Sequence, residues 1–287
     1  MTNHKKDEMD FISDSLFRRS VRKARWKQFG LYFLISTISV LILIFLVFSG
    51  VQYLINKKIE SGMDEDLNSW SKGAGIISHN TTFHYNLFSA IGETVYFKEI
   101  GGRQFVWNKE TNEYPAIGRI KLVSRESGLT EGNKVDEETK RVVRYNQMNN
   151  ERIVDFYYPR INYSYLPQEI DIAVGLAKNT LVEVAISFDE PMTPKELGNI
   201  MGVENIDWLW VNEHTPKPTE GDPDLHHVLN GDNAYGYGVS EDDPYYNDES
   251  ETLISGAMIS GTPEELERFR DISIIRASVL GVTIDKY

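Results

Sequence analysis

Between Gln28 and Asn56 the chain runs for 29 residues without a charge. The centre of that run, Phe29 to Phe48, is 20 residues built mostly from Leu, Ile, Val and Phe. As a helix this centre is roughly 30 Å long, the thickness of a bilayer's hydrocarbon core. A helix is the form to expect, because it closes its backbone hydrogen bonds internally where lipid offers no partner. A buried core helix is the competing reading, but such helices rarely run so far without a polar side. The run also exceeds the ~7–15 apolar residues of a signal-peptide core and begins after a 27-residue polar segment, so it reads as a retained anchor.

The flanks give this span a direction. Arg18, Arg19, Arg22, Lys23, Arg25 and Lys27 precede it, whereas Lys57 and Lys58 beyond it give way at once to Glu60, Asp64, Glu65 and Asp66. The positive-inside rule then predicts a single-pass protein of the cell membrane, with its N-terminus in the cytoplasm and its C-terminus outside. The expected organisation is a basic amphipathic cytoplasmic segment (1–27), a transmembrane helix (28–56), a juxtamembrane and β-rich extracytoplasmic region (57–150) and a C-terminal α+β domain (151–287).

Charge separates the two ends further. Residues 1–27 carry a net charge of +4 and residues 57–287 a net charge of −17. So acidic an outer part is a poor surface for nucleic acid, and no direct nucleic-acid contact is expected. The chain has no cysteine. An outer domain without disulfides relies on its core, and thiolate metal sites and cysteine nucleophiles are excluded.

Within the tail, Met9, Ile12, Leu16, Phe17, Val21 and Ala24 share one broad side of a helix, while Asp14, Arg18, Arg19, Arg22 and Arg25 take the other. Lys23 interrupts the apolar side. Three readings stand: a helix docking into a partner's groove, a basic helix lying on the inner leaflet, or a segment that only sets topology and continues into the span. After the span, Ile59, Met63, Leu67 and Trp70 continue at helical spacing, and Gly73 and Gly75 are the expected stop.

From Ile76 the pattern turns to strands. Thr94–Ile100 and Arg103–Trp107 flank Gly101-Gly102, the signature of a hairpin with a two-residue turn. Ile117–Val123 reads as a short strand and Lys134–Asn150 as a helix. The aromatic, proline-punctuated stretch from Arg152 to Pro167 reads as packing. Then a unit recurs. Leu181–Phe188, a helix opened by Thr193-Pro194-Lys195-Glu196-Leu197, and Ile206–Val211 parallel Leu253–Ser260, a helix opened by Thr262-Pro263-Glu264-Glu265-Leu266, and Ile275–Ile284. Each helix start combines a Thr cap, Pro at the first helical position and Glu closing a capping box. Two strand–helix–strand units in tandem suggest an α+β fold with a ferredoxin-like sheet. The stretch His214–Ser250 between them reads as one long insertion.

No catalytic constellation emerges. His226-His227 beside Asp222, Asp224 and Asp232 lack helical zinc spacing and the calcium-loop glycine, so a solvated loop is the better reading. There is no nucleophile elbow, phosphate loop or His-Glu-x-x-His. Neither a cofactor nor a metal site is expected, and an envelope enzyme is the weakest hypothesis.

Phe156-Tyr-Tyr-Pro159, Leu181-Val-Glu-Val-Ala-Ile-Ser-Phe-Asp-Glu-Pro191, Thr193-x-x-Glu196-Leu197 and Trp208-Leu-Trp-Val211 together resemble the C-terminal region of the Gram-positive sigma factor regulator family. The Thr262–Leu266 helix start and Gly281–Ile284 fit its closing portion, and the basic segment, single span and following strands are similar to its N-terminal region. The resemblance implies a membrane-bound anti-sigma factor that holds an extracytoplasmic-function sigma factor at the membrane, with the outer domain sensing or transmitting envelope stress. It departs from the zinc-type anti-sigma pattern, since His-x-x-x-Cys-x-x-Cys is absent. A tail of 27 residues is too short for a folded domain. Under this reading the grip is an amphipathic helix presenting Phe11, Ile12, Leu16, Phe17 and Val21, with a second small membrane regulator as a further partner. The alternative is a single-pass binding or scaffold protein whose tail serves topology alone.

Overall fold

The computed structural model describes residues 15–66, 71–126, 134–135, 142–211, 228–239 and 251–286. The chain divides into two compact units, Met1–Lys57 and Lys58–Tyr287. Together they form a mixed structure, with one long apolar N-terminal helix and a β-rich C-terminal region.

The helix α1 (Ser15–Asp66) is unbroken over 52 residues, about 78 Å at the usual rise. It is far longer than a bilayer core, so the uncharged run is extended by helical turns at both ends. Its stretch Phe17–Gly62 is long and apolar enough to cross a membrane, and none of its most apolar window is covered by protein. A polar side chain within it is satisfied locally. Thr37 Oγ1 donates to the Phe33 carbonyl at 2.9 Å, which pairs the hydroxyl within the helix. Trp26 and Tyr53 are exposed near the two ends, 27 residues and therefore roughly 40 Å of helix apart. That is the spacing of the two interfacial aromatic belts of a bilayer.

The second unit holds a six-stranded antiparallel sheet in the order β1 (Ser71–Lys72), β13 (Tyr235–Gly238), β11 (Ile206–Val211), β14 (Ile254–Gly261), β10 (Thr180–Met192) and β15 (Ile275–Asp285). The repeat explains this order. After the short helix α2 (Ile170–Val174), one unit runs β10, α3 (Pro194–Met201), β11, and the other runs β14, α4 (Pro263–Leu266), β15. Each unit's two strands are parallel, with a strand of the other unit between them, so the two interleave. Both helices begin as their sequences predict. Thr193 and Thr262 each accept from the backbone of the third helical residue, and Glu196 and Glu265 reach back to the cap backbone.

Strand alternation sends alternate residues to opposite faces. Val182, Val184, Ile186 and Phe188 of β10, with Leu209 and Val211 of β11, meet Leu197, Met201, Leu266 and Phe269 from the helices. Ala185, Trp208, Trp210, Met258 and Val279 face the other way, against Val154, Phe156 and Tyr157. Here β9 (Asp155–Tyr157) pairs with β12 (Val228–Asn230) as a two-stranded cover. The aromatic stretch is therefore core, with Phe156 stacked 5.0 Å from Trp210. A sheet covered on both faces accounts for the almost uninterrupted apolar runs of β10 and β14.

A second sheet precedes it: β2 (Ile76–Tyr85), β3 (Ser89–Ile100), β4 (Arg103–Pro115) and β5 (Lys121–Arg125), in sequence order. The hairpin at Gly101-Gly102 forms as its dipeptide predicts, with Ile100 opposite Arg103 and φ of 54° and 80° at the two glycines.

Several expectations are corrected. The helix over 134–150 does not form. Lys134 and Val135 make β6, paired with Val142 and Val143 of β7 (Val142–Tyr145), which in turn pairs with β8 (Arg152–Ile153). The adjacent β-branched valines favour a pleated chain, and Asn146–Glu151 closes as a turn with Asn150 at φ 57°. The juxtamembrane helix ends at Asp66, and Ser71–Lys72 pair as a strand with Tyr235 and Gly236. The helix after Thr262 is a single turn continued by a 3-10 turn, Glu267–Phe269. The insertion is not one loop either, since β12 and β13 lie within it and belong to sheets.

Candidate functional site

Two places in the chain invite a functional reading: the basic stretch of α1 and a buried charged joint in the second unit. In the first, Arg18, Arg22 and Arg25 share one helical stripe and Arg19, Lys23 and Lys27 another, all exposed. Phe17 and Val21 lie one turn apart on the side between the stripes, Phe17 exposed and Val21 half-buried. Leu16 is helical. Phe11 and Ile12, like the side chain of Leu16, lie outside the described residues. The apolar side is thus narrow, bounded by cations on both flanks, and it passes into the uncharged run without a break.

The joint joins the four-stranded sheet to the six-stranded one. Lys98 of β3 and Glu183 of β10 are 1% and 2% exposed, and their charges meet at 2.9 Å. The Lys98 ammonium also stands 3.8 Å from the centre of the Trp107 ring, which shields it from solvent and adds a cation–π attraction. The second carboxylate oxygen of Glu183 accepts from the Val282 backbone at 3.3 Å. Two glycines make room for this carboxylate. A Cβ on Gly281 would lie 2.5 Å from Glu183 Oε2, and one on Gly75 would lie 3.0 Å from Oε1. Around the pair is an apolar ring of Ile100, Trp107, Ile153, Leu181 and Val282.

Polar contacts extend the joint on every side. Trp107 donates its indole N–H to Asp232 at 3.0 Å, and its carbonyl accepts from the buried Asn146 side chain at 2.7 Å. Gly101 N–H donates to Ser260 Oγ at 2.8 Å, tying the hairpin turn to β14. Ser260 in turn hydrogen-bonds Asp207 of β11. The Asp207 carboxyl is pushed up to about 8, chiefly by loss of solvent, opposed by the Ser260 hydrogen bond and reinforced by Glu183 and Glu99. Dense protein surrounds this carboxyl even though an edge of it still reaches solvent. Burial and the nearby Glu183 raise Glu151 too. One lysine therefore faces several carboxyls in a low-dielectric seam, and it is paired with the most deeply placed of them.

Asp232 was a member of the acidic and histidine cluster considered for metal, and here it is an indole acceptor. His226, His227, Asp222 and Asp224 lie outside the described residues. Among the described residues no group of three His, Asp or Glu is arranged to hold a metal ion.

Sequence reading passed over Lys98 and Glu183, although a signal was there. Glu183 is the single charge within the apolar run Leu181–Phe188, and a buried charge requires a partner. Their 85-residue separation hides which partner it is.

Comparison with known proteins adds one match. No curated protein and no solved structure matches the chain. Residues 174–252 match the family described as sigma factor regulator C-terminal, a stretch that takes in β10, α3, β11, β12 and β13. The match takes in three strands of the six-stranded sheet, and over this stretch the chain is similar to the sigma factor regulator C-terminal family.

Proposed function

We propose that the protein is a membrane-anchored anti-sigma factor. Its N-terminal segment holds an extracytoplasmic-function sigma factor at the inner face of the cell membrane, and its outer part senses or transmits envelope stress. The family match carries this reading, since a sigma factor regulator implies a sigma factor as partner and a regulatory rather than catalytic role. The single apolar helix and its cationic N-terminal flank support the anchored, N-inside arrangement. The outer chain then divides into a membrane-proximal β-rich region (57–150) and an α+β domain (151–287). The interleaved order β11-β14-β10-β15 supports a ferredoxin-like reading of the latter.

Phe11, Ile12, Leu16, Phe17 and Val21 are the contacts assigned to the sigma factor, with a second small membrane regulator completing the hold. The test is the full chain carrying Leu16→Asp and Phe17→Asp, assayed in cells with a reporter under the sigma factor's promoter. Reporter output should rise while the protein remains in the membrane fraction. Unchanged output with intact membrane localisation would sink the reading.

One observation favours a second reading, a scaffold whose tail only fixes topology. The helix α1 runs from Ser15 into the span without a break, as a plain topogenic flank would. In that case scrambling residues 8–21 while keeping the later basic cluster leaves the reporter silent.

A further inference from the structure

We propose that the loop end of the four-stranded sheet is a membrane-docking tip, placing Leu87, Phe88, Ile117 and Ile120 among the lipid headgroups. The proposal rests on the reading of α1 as a membrane span and goes beyond it, since it makes the second unit a peripheral lipid-binding body as well.

Three observations converge on this end of the sheet. The first is apolar exposure. The β2–β3 turn presents Leu87 and Phe88, 59% and 62% exposed, and the β4–β5 turn presents Ile117, 88% exposed. The two turns are neighbours, joined by the Ala116 N–H donating to the Phe88 carbonyl at 2.8 Å. Large apolar side chains clustered on two adjacent turns are not the isolated exposed residues that any surface carries.

The second observation is position. Lys58 Nζ donates to the carbonyls of Pro115 at 2.6 Å and Gly118 at 2.7 Å, the residues that bracket Ile117. A Cβ at Gly62 would lie 3.4 Å from Ile120 and equally near Tyr114. Lys58 follows the uncharged run by only two residues, about 3 Å of helical rise. The tip is therefore held by a residue two positions beyond the uncharged run, which favours lipid headgroups as the occupant of its apolar surface.

The third observation is charge. Residues 84–90 and 114–122 contain no Asp or Glu and carry Arg119 and Lys121, in an outer part whose net charge is −17. Lys121 is tied to Glu113 only at 3.6 Å and is well exposed. Apolar side chains rimmed by cations suit the boundary between headgroups and acyl chains, which such surfaces enter by about 5–10 Å, and the cations match anionic lipid. A protein partner explains the apolar residues but not why acidic residues are missing from this one end.

Because the chain has no cysteine, single cysteines introduced at will can each carry one environment-sensitive fluorophore. The full chain is reconstituted in vesicles of phosphatidylcholine and phosphatidylglycerol doped with nitroxide-labelled lipid. Probes sit at Ile117→Cys, at Leu41→Cys within the span, and at Glu264→Cys on exposed α4. The tip reading expects the Ile117 probe to emit to the blue of the Glu264 probe and to be quenched by lipid at least about twice as strongly. Replacing both Arg119 and Lys121 by Glu should reduce that quenching. If Leu41 is quenched and Ile117 matches Glu264, the anchor stands and the tip is overturned. A blue-shifted Ile117 probe that lipid does not quench overturns it in favour of a second copy of the chain. An unquenched Leu41 probe removes the anchor and the tip together.

Discussion

Removing the Lys98 charge tests whether the joint holds the second unit together. At 2.9 Å the pair attracts with ~6 kcal/mol at an effective dielectric near 20, but most of that is offset by stripping water from two ions. The pair's net contribution is therefore small, and the large effect comes from breaking it one-sidedly. Lys98→Met leaves the Glu183 carboxylate buried with no counter-charge, which costs about 3–5 kcal/mol. For a 230-residue unit, a loss of that size lowers Tm by roughly 6–20 °C. Adding Glu183→Gln removes the orphaned charge and keeps an acceptor for the Val282 N–H. The double variant should return to within about 2 kcal/mol of the parent. Both variants lose the cation–π contact with Trp107, so that loss cancels in their difference. The assay is thermal unfolding of the full chain in detergent micelles, followed by tryptophan fluorescence, with Trp107 inside the joint. A double variant as unstable as Lys98→Met would refute the charge argument, as would a single variant within about 1 kcal/mol of the parent.

Three further perturbations probe neighbouring parts of the core. Asp207, pushed up to about 8 from an ordinary 3.8, stays protonated in the fold over a range where the unfolded chain ionises. The parent should therefore lose stability as pH rises from about 4 to about 8, and Asp207→Asn should gain on it over that interval, with melting at a series of pH values as the check. Thr262→Ala removes one capping box and should cost about 1 kcal/mol in chemical denaturation. Glu265 is held low by its hydrogen bonds to Thr262, first the backbone N–H and then the hydroxyl, so the part of the parent's advantage carried by the hydroxyl's bond to the carboxylate should shrink as pH falls through the lowered value. Gly281→Ala sets a methyl 2.5 Å from Glu183 Oε2 and 2.8 Å from Val154, and overpacking of this kind should cost about 1–3 kcal/mol in the same melt.

The parts of the fold that were legible in sequence are those fixed by local chemistry. The capping boxes at Thr193 and Thr262 specify helix starts through residues three apart, and both form as read. Gly101-Gly102 specifies a turn through backbone conformation alone, and the strand Ile206–Val211 is fully marked by its apolar run. What escaped depends on residues distant in sequence. Alternating charge around Val142 and Val143 mimicked a helix, but pairing with β6 and β8 decided the outcome. Tyr235–Gly238 looked like loop sequence, and it becomes a strand because Trp208–Trp210 offer it a sheet edge. The joint needed a partner for Lys98 that only the fold supplies. On α1 the converse holds. Its long apolar helix was plain from composition, whereas the number of apolar side chains free for a partner depends on a tail that begins before the first described residue.

The four-stranded sheet gives the joint its mechanical sense. The strand β3 spans 12 residues, about 40 Å, with the Lys58-bound loops at its start and Gly101 at its end. At the far end, Lys98–Glu183 and the Gly101–Ser260 hydrogen bond fasten it to β10 and β14, adjacent strands of the six-stranded sheet. A hydrogen-bonded sheet transmits displacement along its strands because sliding one strand breaks many bonds together. A movement of β10 against β14 therefore either carries Lys58 with it or breaks the buried pair, and breaking it exposes a charge at a cost of several kcal/mol. The low-cost response is motion of the sheet as a body, pivoting on the loops at Lys58. If the outer part transmits a state of the envelope to the tail, Lys98→Met should weaken that transmission at temperatures where the unit is still folded. A reporter that responds to the stimulus equally well in that variant and the parent would show that the signal takes another path.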